Sequence, residues 1–177
     1  ALAVHFNARY LGDGIAATAA RLDAIARSAG ATPILLALGP CHGDDQLARQ
    51  IASAMKTPPA LIDDPRSLHE LVACIRGADL YVGSSLHGAI TARSFGRPSI
   101  LVAREAEGGH AKFSGFIEAA RLLDDTDDAL LQPIRFESWD GAWDRVEEVL
   151  ATVSTRAPGG LRREDRIEAA LSSHWAR

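Results

Sequence analysis

The chain has 177 residues, 47% of them hydrophobic and 24% charged, with a net charge of −4 and a pI near 5.8. That is apolar material for one ordinary core, and the wrong charge for a nucleic-acid binder held by a general basic field. No apolar run approaches the length of a transmembrane helix and no signal peptide is visible.

The first segment, Ala1 to Phe6, alternates and reads as a strand. Asp13 is placed to cap a helix running to about Ala29, with Ile15, Leu22 and Ile25 near helical spacing and Gly30 as a stop. Pro33 to Leu38 is a continuous apolar run, the pattern of a strand buried on both faces. A loop, Gly39 to Gly43, precedes a helix to about Lys56 that Asp44 or Asp45 would cap. Ala60 to Ile62 reads as a short third strand. Ser67 opens a helix whose Leu68, Leu71, Val72 and Ile75 fall at i, i+3, i+4 and i+7. Leu80 to Gly83 and Ser99 to Ala103 read as strands four and five, with a Leu86–Phe95 helix between them. Arg104 to Gly109 and on to Lys112-Phe113 reads as a loop over the rim, followed by a short helix near Ser114 to Ala120 and a brief strand near Leu122. Trp139 to Val153 is helical through Trp143, Val146 and Leu150, with the two tryptophans as core. Ala157 to Gly160 is a break, and Arg162 to Trp175 a last charged helix.

Strands alternating with helices through short connections predict an α/β fold with a doubly wound, mostly parallel, Rossmann-like sheet. Ligands of such sheets sit beyond the carboxyl ends of the strands. Asn7 to Gly14, Gly39 to Gly43 and Gly83 to Ser85 each follow a strand and belong on that rim. Gly12-Asp13-Gly14 lacks the spacing of a dinucleotide fingerprint.

The densest chemistry lies in Asp79 to Ile90. A strand passing through Gly83-Ser84-Ser85 into a helix aims backbone N–H groups and the positive helix end at one point, which suits an anion. His87, in the first turn, is the candidate to hold or move a proton. A helix cap and polar first turn is the plainer reading of the same residues. Cys41, His42 and one aspartate make a poor metal set, so His42, Asp44 and Asp45 read as loop and caps. Asn7, Arg9, His110 and Lys112 are rim candidates; His69 and His174 carry no assignment. Only Cys41 and Cys74 occur, too few for a disulfide framework or a closed zinc site, and a reducing, cytoplasmic compartment is expected. Seventeen arginines against Lys56 and Lys112 point to base composition more than to function.

From Asp63 to Phe116 the chain resembles the polysaccharide pyruvyl transferase family. The resemblance rests on the Ser67–Ala78 helix running into Asp79, on Ser85-Leu86-His87-Gly88, on Ala92, Gly96 and Pro98, on Lys112-Phe113, and on Asp44-Asp45 after a histidine-containing loop. Many members carry Arg two residues before the histidine, where this chain has Ser85.

The resemblance implies a bacterial enzyme with a GT-B-like fold of two Rossmann-like halves. This chain would be the C-terminal, donor-side half over residues 1–155. Residues 156–177 would be a linker and helix crossing to an N-terminal domain, without which the chain would be inactive. It implies transfer of a pyruvyl group from phosphoenolpyruvate to a sugar hydroxyl in exopolysaccharide or cell-surface glycan synthesis, with no cofactor and no metal. His87 would be catalytic, with Ser84, Ser85, Leu86, Gly88, Arg9, Arg104 and Lys112 binding the donor. Two other readings keep the scaffold. One is a GT-B glycosyltransferase donor domain using a nucleotide sugar, for which Glu105 and Glu107 are the available ribose partners. The other is a non-catalytic glycan- or partner-binding domain.

Overall fold

A computed structural model describes residues 1–12, 14–39, 42–103, 110–122 and 129–156. Six strands form one sheet: β1 (Leu2–His5), β2 (Pro33–Leu36), β3 (Ala60–Ile62), β4 (Leu80–Gly83), β5 (Ser99–Val102) and β6 (Ile134–Phe136). All pairings are parallel and the order is β3-β2-β1-β4-β5-β6. This is the doubly wound α/β arrangement the sequence predicts. The chain winds outward from β1 in one direction, then returns to β4 beside it and winds the other way. The reversal point lies between β1 and β4, where His5 pairs in register with Gly83.

The helices are α1 (Gly14–Ser28), α2 (Asp44–Ala54), α3 (Leu68–Gly77), α4 (Leu86–Ser94), α5 (His110–Leu122) and α6 (Trp139–Arg156). The strands β1, β2, β4 and β5 are buried along their whole length, which is why they read as unbroken apolar runs. Leu2, Val4, Leu80, Val82 and Ile100 face α1, α2 and α6 in one core cluster, where Trp139 and Trp143 stack with Phe6. Ala3, Tyr81 and Leu101 face α3, α4 and α5 in the other, with Leu71, Ile75, Ala89, Ala92 and Phe113. The two tryptophans are therefore core, as their spacing predicts.

Three expectations change. Lys112 and Phe113 do not end a loop: α5 begins at His110 and carries both. Phe113, Phe116, Ile117 and Ala120 fall at i, i+3, i+4 and i+7, so the apolar stripe begins a turn earlier, with Phe113 packed in the core at 1% exposure. The strand expected near Leu122 is absent there; Leu122 ends α5 and is 80% exposed, and the sixth strand is β6. Neither Asp44 nor Asp45 caps α2. Gly43, at φ 78°, holds that position without a side-chain cap, and Asp45 instead pairs with Arg49 one turn on. Ser67 does cap α3, accepting the Glu70 N–H. The expected cap Asp13, the loop 104–109, the break at Ala157 and the helix expected over Arg162 to Trp175 lie outside the described residues.

Candidate functional site

A cleft of about 780 Å³ opens at the carboxyl end of the sheet, over the reversal point. Its walls come from the three rim segments picked out in the sequence and from α5. His5 ends β1 and Asn7 to Tyr10 follow it, Leu38, Gly39, His42 and Asp44 come after β2, Ser84 to His87 follow β4, and Lys112 and Phe113 stand on α5.

The β4–α4 junction supplies anion-binding character. Ser85 is the N-cap of α4, its hydroxyl accepting a long 3.5 Å bond from the Gly88 N–H. Among the described residues the Leu86 and His87 N–H groups have no acceptor. They leave the positive end of a nine-residue helix unsatisfied at the cleft. Ser84 is 8% exposed, and its hydroxyl has no partner among the described residues. His87 is exposed and lines the cleft, so the ring stands free at the helix start. Arg9 enters from a 3-10 turn over Ala8–Tyr10, which Asn7 caps by accepting the Arg9 N–H at 3.0 Å. Asn7 Oδ1 thus already holds a backbone donor. Lys112 enters from α5, exposed, with its ammonium 5.2 Å from the Phe113 ring centre. Both cations share the cleft with the helix start.

Gly88 has another task. It is buried and does not line the cleft. A β-carbon there would fall 2.2 Å from Cζ of Tyr81, whose ring lies directly under the first turn of α4. Tyr81 donates its hydroxyl to the Ser85 carbonyl at 3.2 Å. Burial, joined by the negative charge of Asp44, pushes that hydroxyl far above its ordinary range, so it stays a neutral donor. The motif glycine thus allows the helix start to settle onto β4, and Tyr81 fixes its height.

The sequence reading missed His5. It was absorbed into the first strand, yet it ends β1 at the reversal point and is 3% exposed. Its Nε2 lies 2.7 Å from Oδ2 of Asp44, itself 4% exposed. The same carboxylate oxygen accepts the Gly39 N–H at 2.9 Å. Gly39 has little room for anything larger, since a β-carbon would stand 3.2 Å from Oδ2 of Asp44 and 3.0 Å from the His42 ring. A histidine at the end of an inner strand, and an aspartate just past a strand-following glycine loop, were the available signals.

His42 is exposed on the rim, and His69 is exposed outside the cleft. Arg104, Glu105, Glu107 and Cys41 lie outside the described residues. Among the described residues no group of three or more His, Cys, Asp or Glu is placed to hold a metal ion, and no helix is long and apolar enough to cross a membrane.

Neither the curated proteins nor the solved structures contain a significant match to the chain. The model of the polysaccharide pyruvyl transferase family does match, over residues 21–105. The matched stretch runs from within α1 past the end of β5 and includes Asp44 and the whole β4–α4 junction. The likeness carried by Ser85-Leu86-His87-Gly88 thus falls within a stretch, just under half of the chain, that the polysaccharide pyruvyl transferase model matches.

Proposed function

We propose that the chain is the donor-side domain, over residues 1–155, of an enzyme that moves a pyruvyl group from phosphoenolpyruvate to sugar hydroxyls. A single observation carries the reading. Within the matched stretch, the unsatisfied start of α4 and the buried, unpartnered Ser84 hydroxyl share one cleft with His87, Arg9 and Lys112. Phosphoenolpyruvate is small and carries a phosphate and a carboxylate. It needs N–H donors and cations together, and this cleft has both.

Ketal formation on two hydroxyls sets the demands on these groups. A proton must reach the methylene carbon, which becomes a methyl group. A hydroxyl oxygen must bond to the neighbouring carbon and lose its proton. The phosphate then leaves with its bridging oxygen, and the second hydroxyl closes the ketal. Of the two hydroxyl protons, one is matched by the proton gained at carbon and the other departs with phosphate. His87 stands beside the anion position and is the group assigned to deliver the proton to carbon. The acceptor would lie in a cleft completed by a second Rossmann-like half. The product would be an exopolysaccharide or cell-surface glycan precursor made in the cytoplasm.

The test is a thermal shift of the chain with phosphoenolpyruvate and, separately, with UDP-sugars. A rise in melting temperature with phosphoenolpyruvate alone is expected. A rise with UDP-sugars alone would replace this reading with a nucleotide-sugar donor. In the enzyme containing this domain, His87→Ala is expected to abolish transfer while leaving the melting temperature in place. Retained turnover would remove His87 from the mechanism.

A further inference from the structure

We infer that His5, held by Asp44, is a second proton-transferring group of this cleft and takes the proton from the attacking sugar hydroxyl. The inference rests on the pyruvyl-transfer reading and adds a residue to it. Three observations carry it. First, His5 and Asp44 both line the cleft and meet at its base, 2.7 Å apart, beside the reversal point of the sheet. Second, the bond orients the ring. Oδ2 of Asp44 accepts from the Gly39 N–H and from Nε2, an arrangement that in a neutral ring makes Nε2 the donor and leaves Nδ1 as the acceptor. Third, Nδ1 of His5, Oδ1 of Asp44 and the Ser84 hydroxyl are each buried without a partner among the described residues.

Buried polar atoms are normally satisfied. Three unsatisfied ones from three different segments, all belonging to residues that line one cleft, form the acceptor set that a hydroxyl-bearing ligand would complete.

The chemistry follows the geometry. A hydroxyl donating to Nδ1 passes its proton there as its oxygen bonds to the central carbon of phosphoenolpyruvate. The ring becomes an imidazolium, and the Asp44 carboxylate at Nε2 stabilises it. His87 delivers the proton to the methylene carbon in the same addition, so one imidazole gains a proton as the other loses one. Expulsion of phosphate and closure by the second hydroxyl release the remaining proton. In the proton transfer Asp44 acts through His5, orienting the ring and holding its charge through Oδ2, while Oδ1 is left to accept from the ligand.

The experiment combines kinetics with nitrogen NMR. In the enzyme containing this domain, His5→Gln is expected to lower kcat by about 100-fold or more, the usual scale of a lost general base. Its phosphoenolpyruvate Kd should stay within about twofold, because the donor's anions are held by other groups. Turnover within a few-fold of wild type overturns the role of His5 and leaves the pyruvyl reading standing. Failure of the unaltered enzyme to bind phosphoenolpyruvate overturns that reading, and this role with it. Nitrogen-15 NMR of the unaltered chain needs no variant. It should report His5 in the Nε2–H form at neutral pH, and Asp44→Asn should populate the Nδ1–H form. A His5 carrying its hydrogen on Nδ1 in the unaltered chain overturns the proposal even where His5→Gln does not fold.

Discussion

Replacing Gly88 with alanine tests whether the motif glycine is there for packing. The added methyl would meet Cζ and Oη of Tyr81 at 2.2 Å and Cε2 at 2.6 Å. Those atoms cannot easily yield. Tyr81 is fully buried, its hydroxyl is tied to the Ser85 carbonyl, and a β-carbon built at Gly83 would also crowd that hydroxyl, at 2.7 Å. Overpacking of this kind costs about 1–3 kcal/mol and sometimes more. Alanine returns about 1 kcal/mol through its helix propensity. With contacts this short the upper end applies, giving a net loss of about 2 kcal/mol. For a domain of this size that is about 4–8 °C in Tm. Gly115→Ala supplies the control, since Gly115 lies within α5, is exposed and has nothing within 4 Å of an added β-carbon. The same substitution there should raise stability by up to about 1 kcal/mol. Urea or thermal unfolding of both variants decides the matter. Equal effects at the two positions would refute the packing argument. A second check is the double variant. Tyr81→Phe removes only the hydroxyl and leaves the ring contacts, so it should rescue Gly88→Ala poorly; Tyr81→Leu should rescue it better.

Asp23 is buried on α1 and accepts the N–H groups of Lys56 and Thr57 at 2.8 and 2.9 Å, tying α1 to the exit of α2. Burial works against its charge, but those N–H donors, the Thr57 hydroxyl and Arg27 outweigh it and hold the carboxyl below its ordinary value of 3.8. A lowered folded-state value means stabilisation that is complete above the unfolded value and lost as pH falls through the folded one. Asp23→Asn should therefore cost about 1–2 kcal/mol at neutral pH, and the gap to the unaltered chain should close below about pH 4 in acid unfolding; a gap constant down to pH 2 would refute this. Burial, with the Glu70 charge adding to it, pushes the Cys74 thiol up to about 11. It should resist iodoacetamide at pH 7.5 in the folded chain and react on unfolding, as peptide mapping would show. Lys112→Ala should weaken phosphoenolpyruvate binding by about tenfold or more, the range of a charge-assisted bond, while changing stability by less than about 0.5 kcal/mol because the side chain is exposed; an unchanged Kd would return Lys112 to plain surface.

The four inner strands were legible because they are buried on both faces. Pro33 to Leu36 and Leu80 to Gly83 leave no alternation to misread, and short turns between them permit few connections. The β4–α4 junction was legible for a similar reason, since a strand, small residues and a helix start follow one another without interruption. The region after β5 was harder. Arg104 to Gly109 is polar, and polarity reads as loop wherever it ends. The start of α5 at His110 depends on Phe113 finding the core between α4 and the sheet, and that partner is far away in sequence.

His5 and Asp44 show where single-sequence reading runs out. Their spacing is 39 residues, and no local pattern joins the two. A histidine after Ala-Val reads as the polar member of an alternating strand, and an aspartate after glycine reads as a cap. Both readings are locally sound. What overrides them is topology. Strands β1 and β4 are adjacent only because the winding reverses there, and that reversal opens the crevice into which the β2–α2 loop delivers Asp44. Once the order β3-β2-β1-β4-β5-β6 is known, the ends of β1 and β4 are the places to look, because the crevice opens between them. The cap reading of Asp44 also fails on its own terms. A capping side chain would bond the N–H groups of the next turn, whereas Oδ2 turns back to Gly39 and across to His5. A carboxylate that leaves its own helix start uncapped to hold a histidine is committed to that histidine, and the helix accepts glycine at its cap as the consequence.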